Sequence, residues 1–181
     1  MTEKRISVKL TLEDGTVYRG WSFGAKVAAA GEVVFNTAMT GYPESLTDPS
    51  YRGQVLCLTY PLVGNYGAPG KSEQDDLYLF YESSGVHISA LIVSDYSFEY
   101  SHWNAIQSLD EWLKKSNVPG IYGIDTRALT KRIREKGAML GKVEPDGTAT
   151  EFYDPNKVNL VAEVSTGTRQ VYGTGRYRIV L

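Results

Sequence analysis

Residues 31–60 read GEVVFNTAMTGYPESLTDPSYRGQVLCLTY, and two buried strands joined by a broken, capped segment can be read from them. The two ends, GEVVFNTA at 31–38 and QVLCLTY at 54–60, are short runs of β-branched and aromatic residues, the composition of buried strands. Between them Gly41 and Pro43 break regular structure. Thr47-Asp48-Pro49-Ser50-Tyr51 then carries the signature of a short helix start, with Asp48 or Thr47 as cap and Pro49 in the first helical position.

Working outward, Ile6, Val8, Leu10 and Leu12 alternate, and Val17, Arg19 and Trp21 resume the period after Asp14-Gly15. That pattern predicts a hairpin over about 6–22 with a two-residue turn, whose central positions favour positive φ. Downstream, Val86 to Val93 (VHISALIV) is a third apolar strand. Trp103, Ile106, Leu109 and Leu113 fall at helical spacing behind Ser101, predicting a helix to about Asn117. Asp125 caps a second helix with Leu129 and Ile133 on one face and Gly137 as its stop. Ala138 to Val143 returns as a strand, and from Glu144 to Gly175 the pattern is weak. Strands before helices give a mixed α/β class, with sheet layers covered by helices on one side.

The 181 residues suffice for one buried core or one domain plus a stub, and 42% hydrophobic against 22% charged residues excludes a disordered chain. A formal charge of −2, with Lys131, Arg132 and Arg134 as the one basic cluster, gives no nucleic-acid footprint. The longest apolar runs fall far short of a membrane span, and residues 1–10 lack the apolar region of a secretion signal. A single cysteine cannot form an internal disulfide, which fits a reducing, cytoplasmic location. The segment 176–181, with Tyr177, Ile179, Val180 and Leu181, follows a glycine-bearing stretch and reads as the opening strand of a second domain.

Residue chemistry offers few candidates. Cys57 lies within Val55-Leu56-Cys57-Leu58, away from any basic residue, and reads as a small buried hydrophobe. His87 opens an apolar strand and His102 a helix; neither has metal-ligand spacing. The glycines form no phosphate-cradling motif. Ser50 stands out because it follows Pro49 in a first turn, where unpaired N–H groups favour an anion such as a carboxylate. The same position also suits a local cap or a solvent-facing serine.

Longer words carry more. Ala30 to Thr37, Met39 to Glu44 and Leu46 to Tyr51 resemble the N-terminal domain of the small, glutamine-hydrolysing subunit of carbamoyl phosphate synthetase. So do Leu12 to Gly15, Leu58 to Pro61, Gly64 to Gly67, Asp125 to Arg127, Leu129-Thr130 and Arg134 to Gly137, so that the likeness runs over 10–143. Residues 177–181 are similar to the first strand of that family's second domain, a class I glutamine amidotransferase.

The resemblance implies a three-layer β/β/α domain of the swivelling type over 1–175, followed at 176–181 by the start of the amidotransferase domain. It implies a ligase that makes carbamoyl phosphate from glutamine, bicarbonate and ATP for arginine or pyrimidine synthesis. In that family a cysteine, a histidine and a glutamate of the second domain hydrolyse glutamine through a thioester. Ammonia then reaches the large subunit, which holds ATP and magnesium. This chain would therefore carry no catalytic residue, cofactor or metal, and would be inactive alone. Its partners would be the large subunit, the glutaminase domain and glutamine, with no nucleic acid or membrane. The family's pocket serine, in its Asp-Pro-Ser-Tyr motif, maps to Ser50. A stand-alone binding module of the same fold is the alternative.

Overall fold

The computed structural model describes residues 5–70, 72–74 and 77–180. Its elements run β1 (Ser7–Leu12), β2 (Val17–Gly24), β3 (Ala29–Asn36), α1 (Tyr42–Thr47), β4 (Gln54–Leu58), β5 (Leu62–Val63), β6 (Ala68–Pro69), β7 (Glu73–Gln74) and β8 (Leu77–Tyr78). There follow β9 (Ala90–Ile92), β10 (Asp95–Tyr96), β11 (Ala105–Gln107), α2 (Leu109–Lys115), β12 (Pro119–Tyr122), α3 (Thr126–Lys136), β13 (Met139–Pro145) and α4 (Leu160–Val164).

Seven strands close into a barrel in the order β1-β13-β3-β4-β9-β12-β2. The run β3-β4-β9-β12 is parallel, whereas β12-β2, β2-β1, β1-β13 and β13-β3 are antiparallel. The mixed α/β class is thus the one observed. A three-layer swivelling arrangement is not established by this topology, in which the sheet returns on itself rather than ending in edges.

Side-chain alternation sorts the core into two clusters. Val8, Leu10, Val33, Val55, Cys57, Ala90, Ile92, Ile121 and Val143 point to one side of their strands, and Leu129 and Ile133 of α3 join them. Leu56, Leu58, Leu91, Phe23 and Tyr122 belong to the other cluster, with Leu46 of α1 and Leu109 and Leu113 of α2. The central strands are therefore covered on both faces, not on one side as the element order suggests. Apolar runs such as VLCL follow from that double burial.

Several local expectations change. The first hairpin closes through the three residues Glu13, Asp14 and Gly15, with Leu12 N–H donating to Thr16 O at 2.9 Å. Gly15 alone takes positive φ (83°), so this is a three-residue loop rather than a two-residue turn. The helix expected behind Ser101 begins instead at Leu109, because Ser108 and Glu111 form a reciprocal capping box. Trp103 and Ile106, read as part of its buried face, are 82% and 68% exposed. Gly41 and Pro43 do not simply break the chain: Gly41 caps α1 in the left-handed region and Pro43 sits in its first turn. Asp125 caps α3 through Ala128 N–H and Gly137 ends it, as the sequence predicts. Residues 165–180 carry no regular element and are exposed. Leu181, the end of the expected second-domain strand, lies outside the described residues.

Candidate functional site

Ser50 sits in a one-turn 3-10 helix, Pro49–Tyr51, that feeds β4. Asp48 caps the turn, its Oδ1 accepting from Ser50 N–H at 2.8 Å. Tyr51 N–H donates to Asp48 O at 3.1 Å and Arg52 N–H to Pro49 O at 3.0 Å. The amides expected to be unpaired are therefore all satisfied within the turn, and one turn of 3-10 helix sums only a small dipole. What remains for a ligand is the Ser50 hydroxyl, which is exposed and has no hydrogen-bond partner among the described residues.

Its neighbours hold the turn firmly. Tyr51 Oη accepts from Asn36 Nδ2 at 3.1 Å, tying the turn to the end of β3. Gly53 has φ +77°, and its carbonyl lies where a side chain on Gly31 would put Cβ, only 2.2 Å away, so β3 and the turn approach as two bare backbones. The last packed part of the chain lies on the same side. Pro155, Tyr153 and Leu160 pack over Gly53, and Arg52 Nε bonds Glu163 Oε2 at 3.0 Å.

Cys57 is fully buried, and burial pushes its thiol up to about 12. It is a core residue, as its surroundings in the sequence suggest. His87 Nε2 lies 2.9 Å from Ser83 Oγ, and burial together with the Arg52 charge holds its pKa below the usual imidazole value. His102 is exposed and pairs its Nδ1 with Asn104 Oδ1. No group of three or more His, Cys, Asp or Glu that could hold a metal ion occurs among the described residues. Nor is any described helix long and apolar enough to cross a membrane.

A cleft of about 870 Å³ lies elsewhere. The parallel run ends at Asn36, Leu58, Ile92 and Tyr122, and Thr37, Thr59, Ser94 and Ile124 just beyond those ends line the cleft. The cap Asp125 and the length of α3, through Thr126, Arg127, Thr130, Lys131 and, in its last turn, Arg134, supply the opposing wall. Parallel strands all present their carboxyl ends on one side, the side on which open α/β sheets hold ligands. The turn bearing Ser50 precedes β4, at its amino end, so the two features do not meet. Sequence reasoning missed this cleft because its lining comes from five separate element ends. The one local signal was the spacing of Arg127, Lys131 and Arg134 on one helical face.

Comparison with known proteins bears on these features. The family described as carbamoyl-phosphate synthase small chain, CPSase domain, matches residues 10–143. The chain is 52% identical over 177 residues to the mitochondrial carbamoyl-phosphate synthase [ammonia] of Homo sapiens, covering 97% of this chain and 12% of that protein. It is 52% identical over 162 residues to the carbamoyl phosphate synthase arginine-specific small chain of Eremothecium gossypii, covering 87% of this chain and 41% of the relative. It is 51% identical over 180 residues to the multifunctional protein pyrABCN of Emericella nidulans, covering 86% of this chain and 8% of that one. The chain thus spans less than half the length of each. With a family match over most of its core and such identities on either side of it, the chain belongs to the carbamoyl-phosphate synthase small-chain family.

Proposed function

We propose that this chain is the N-terminal positioning domain of a glutamine-hydrolysing carbamoyl phosphate synthetase. It completes the glutamine pocket with Ser50 and packs against the large, ATP- and magnesium-using subunit. Bond breaking in glutamine belongs to polypeptide outside these residues. The swivelling three-layer description goes with this reading: flattened, the barrel gives two β-layers, with α1 and α2 against one of them. Service to arginine or pyrimidine synthesis belongs to the same proposal, drawn from the family and from the arginine-specific name of the Eremothecium relative; a cytoplasmic location rests on the single cysteine alone.

The observation that carries the reading is the setting of the Ser50 hydroxyl. It is exposed and unspent on a turn whose own amides are all bonded, so it can donate to or accept from a ligand without disturbing the fold. The segment 153–164 packs on Arg52 and Gly53, just past the same turn, so chain leaving α4 starts close to that turn. An adjoining domain there would close a pocket over the hydroxyl.

In the full-length enzyme, Ser50→Ala removes one or two hydrogen bonds, worth about 0.5–3 kcal/mol depending on whether the partner is charged. Glutamine kcat/KM should fall roughly 2- to 150-fold while ammonia-dependent synthesis stays unchanged. Unchanged glutamine kinetics would remove Ser50 from the pocket. A second reading, an enzyme that takes ammonia directly, is favoured by the mitochondrial relatives whose name specifies ammonia. Synthesis from ammonia but not from glutamine by the wild-type enzyme would decide for it.

A further inference from the structure

We propose that the cleft at the carboxyl ends of the parallel strands binds a phosphate-bearing small molecule. This site is separate from Ser50 and independent of which nitrogen donor the enzyme uses. Four observations converge on it.

The cleft, at about 870 Å³, has the size of a metabolite site. Two of its cations are uncommitted: neither Arg127 nor Arg134 forms an ion pair among the described residues, whereas Lys131 is loosely paired with Glu135 at 3.9 Å. Arg127 and Arg134 lie seven residues apart, two turns along one face of α3, and both line the cleft. Planar forks suit the tetrahedral oxygens of phosphate, which they can hold by paired, charge-assisted bonds.

The hydroxyls complete the set. Thr126 is 5% exposed, lines the cleft and spends its hydroxyl on no partner among the described residues. That hydroxyl is not among the buried polar atoms left without a partner, so it opens to the cleft and is available to a ligand there. Thr37 on the facing wall also has a hydroxyl with no partner among the described residues. By contrast, Thr130 donates to Thr126 O at 2.8 Å and Thr59 to Asn36 O at 3.2 Å, which leaves them only acceptor capacity.

The backbone adds a donor. Asp125 takes Ala128 N–H on its carboxylate and Leu129 N–H on its carbonyl, but Arg127 N–H at the second helical position has no partner among the described residues. The cap carboxylate of Asp125 and the exposed Glu135 also line the cleft. They disfavour a diffuse polyanion and restrict the favourable ground to the space between the two arginines. A compact phosphate fits that charge arrangement better than an extended acidic surface does.

The test titrates the chain with inorganic phosphate, inorganic pyrophosphate and acetate at constant ionic strength, read by calorimetry and by backbone amide NMR shifts. Saturable phosphate binding, with the largest shifts at Thr37, Thr126 and Arg127 and with acetate at least roughly tenfold weaker, is the expected result. Both arginines are exposed, so Arg127→Gln with Arg134→Gln leaves the fold intact, as circular dichroism would verify, and should weaken phosphate at least roughly tenfold. Thr126→Val, which keeps the side-chain shape, should weaken it severalfold. A response to phosphate that grows linearly without saturating overturns the proposal; it would be the outcome if this wall instead docks an acidic protein segment. Equal affinity in the double variant overturns it too.

Discussion

Replacing Glu144 by glutamine tests how the barrel is locked. Glu144 is 3% exposed, and it stands directly across from Lys9 in the β1–β13 ladder. Its Oε2 lies 3.1 Å from Lys9 Nζ, its Oε1 lies 3.5 Å from Lys142 Nζ, and Oε1 also accepts from Thr150 N–H at 3.2 Å. Burial pushes the carboxyl up, but the Lys9 hydrogen bond, the Thr150 amide and the Lys142 charge outweigh it and hold the pKa below the ordinary 4.5. Glutamine keeps the shape and the amide contact and removes the charge. Breaking a fully buried pair costs about 3–5 kcal/mol, but Lys9 is 44% exposed and can turn to water, which discounts the loss. The expectation is the worth of one or two charge-assisted hydrogen bonds, about 1.5–3 kcal/mol.

For a chain of this size that lowers Tm by roughly 3–12 °C, measured by circular dichroism or calorimetry at neutral pH. The pH dependence supplies an internal control. A carboxyl whose folded pKa lies below its unfolded value contributes stability that is full above the unfolded value and is lost as pH falls through the folded one. The gap between wild type and Glu144→Gln should therefore be full at pH 7, begin to shrink as pH falls below 4.5, and close as pH falls through the lower folded pKa, where the native side chain becomes a neutral acid. A Tm change under about 1 °C at neutral pH would refute the reasoning, and so would a gap that stays constant into the acid range.

Leu129→Ala, in the fully buried α3 position shared with Cys57 and Ile92, should cost about 2–5 kcal/mol through lost burial and a residual cavity, and lower Tm by roughly 4–20 °C. Cys57 should resist a thiol reagent in the native protein at neutral pH and react stoichiometrically in denaturant, because its thiol is buried and pushed up to about 12. Fast native labelling would contradict the core assignment.

What was legible in the sequence is what local chemistry dictates. Asp125 and Gly137 bound α3 because a cap and a left-handed stop act over three or four residues. The paired strands expected at 31–38 and 54–60, observed as Ala29–Asn36 and Gln54–Leu58, were legible because β4 is buried on both faces, β3 is buried on one and half-buried on the other, and few polar residues interrupt them. The helix behind Ser101 failed for an instructive reason. Trp103 and Ile106 match the helical period by accident, while the real start is written in Ser108 and Glu111, three apart. The closure of the barrel was not legible, since the meeting of Lys9 with Glu144 is set by sheet twist and register and not by nearby residues. At the candidate site, Asp-Pro-Ser-Tyr gave the turn and the exposed serine. That the turn's own acceptors consume its amides depends on backbone angles, which composition does not encode. The phosphate cleft depends on the ends of four strands meeting, and no window of sequence contains it.

The pairing of β1 with β13 also sets a timetable for synthesis. The N-terminal hairpin emerges from the ribosome early, yet one of its edges has no neighbour until residues 139–145 follow. At about 5–20 residues per second that interval is on the order of ten seconds. For that time Val8, Leu10 and Leu12 are an unpaired apolar edge, the kind of surface that chaperones capture and that neighbouring nascent chains can add to. Expression yield of this chain should therefore answer to chaperone supply and translation speed more than to changes in its folded-state stability.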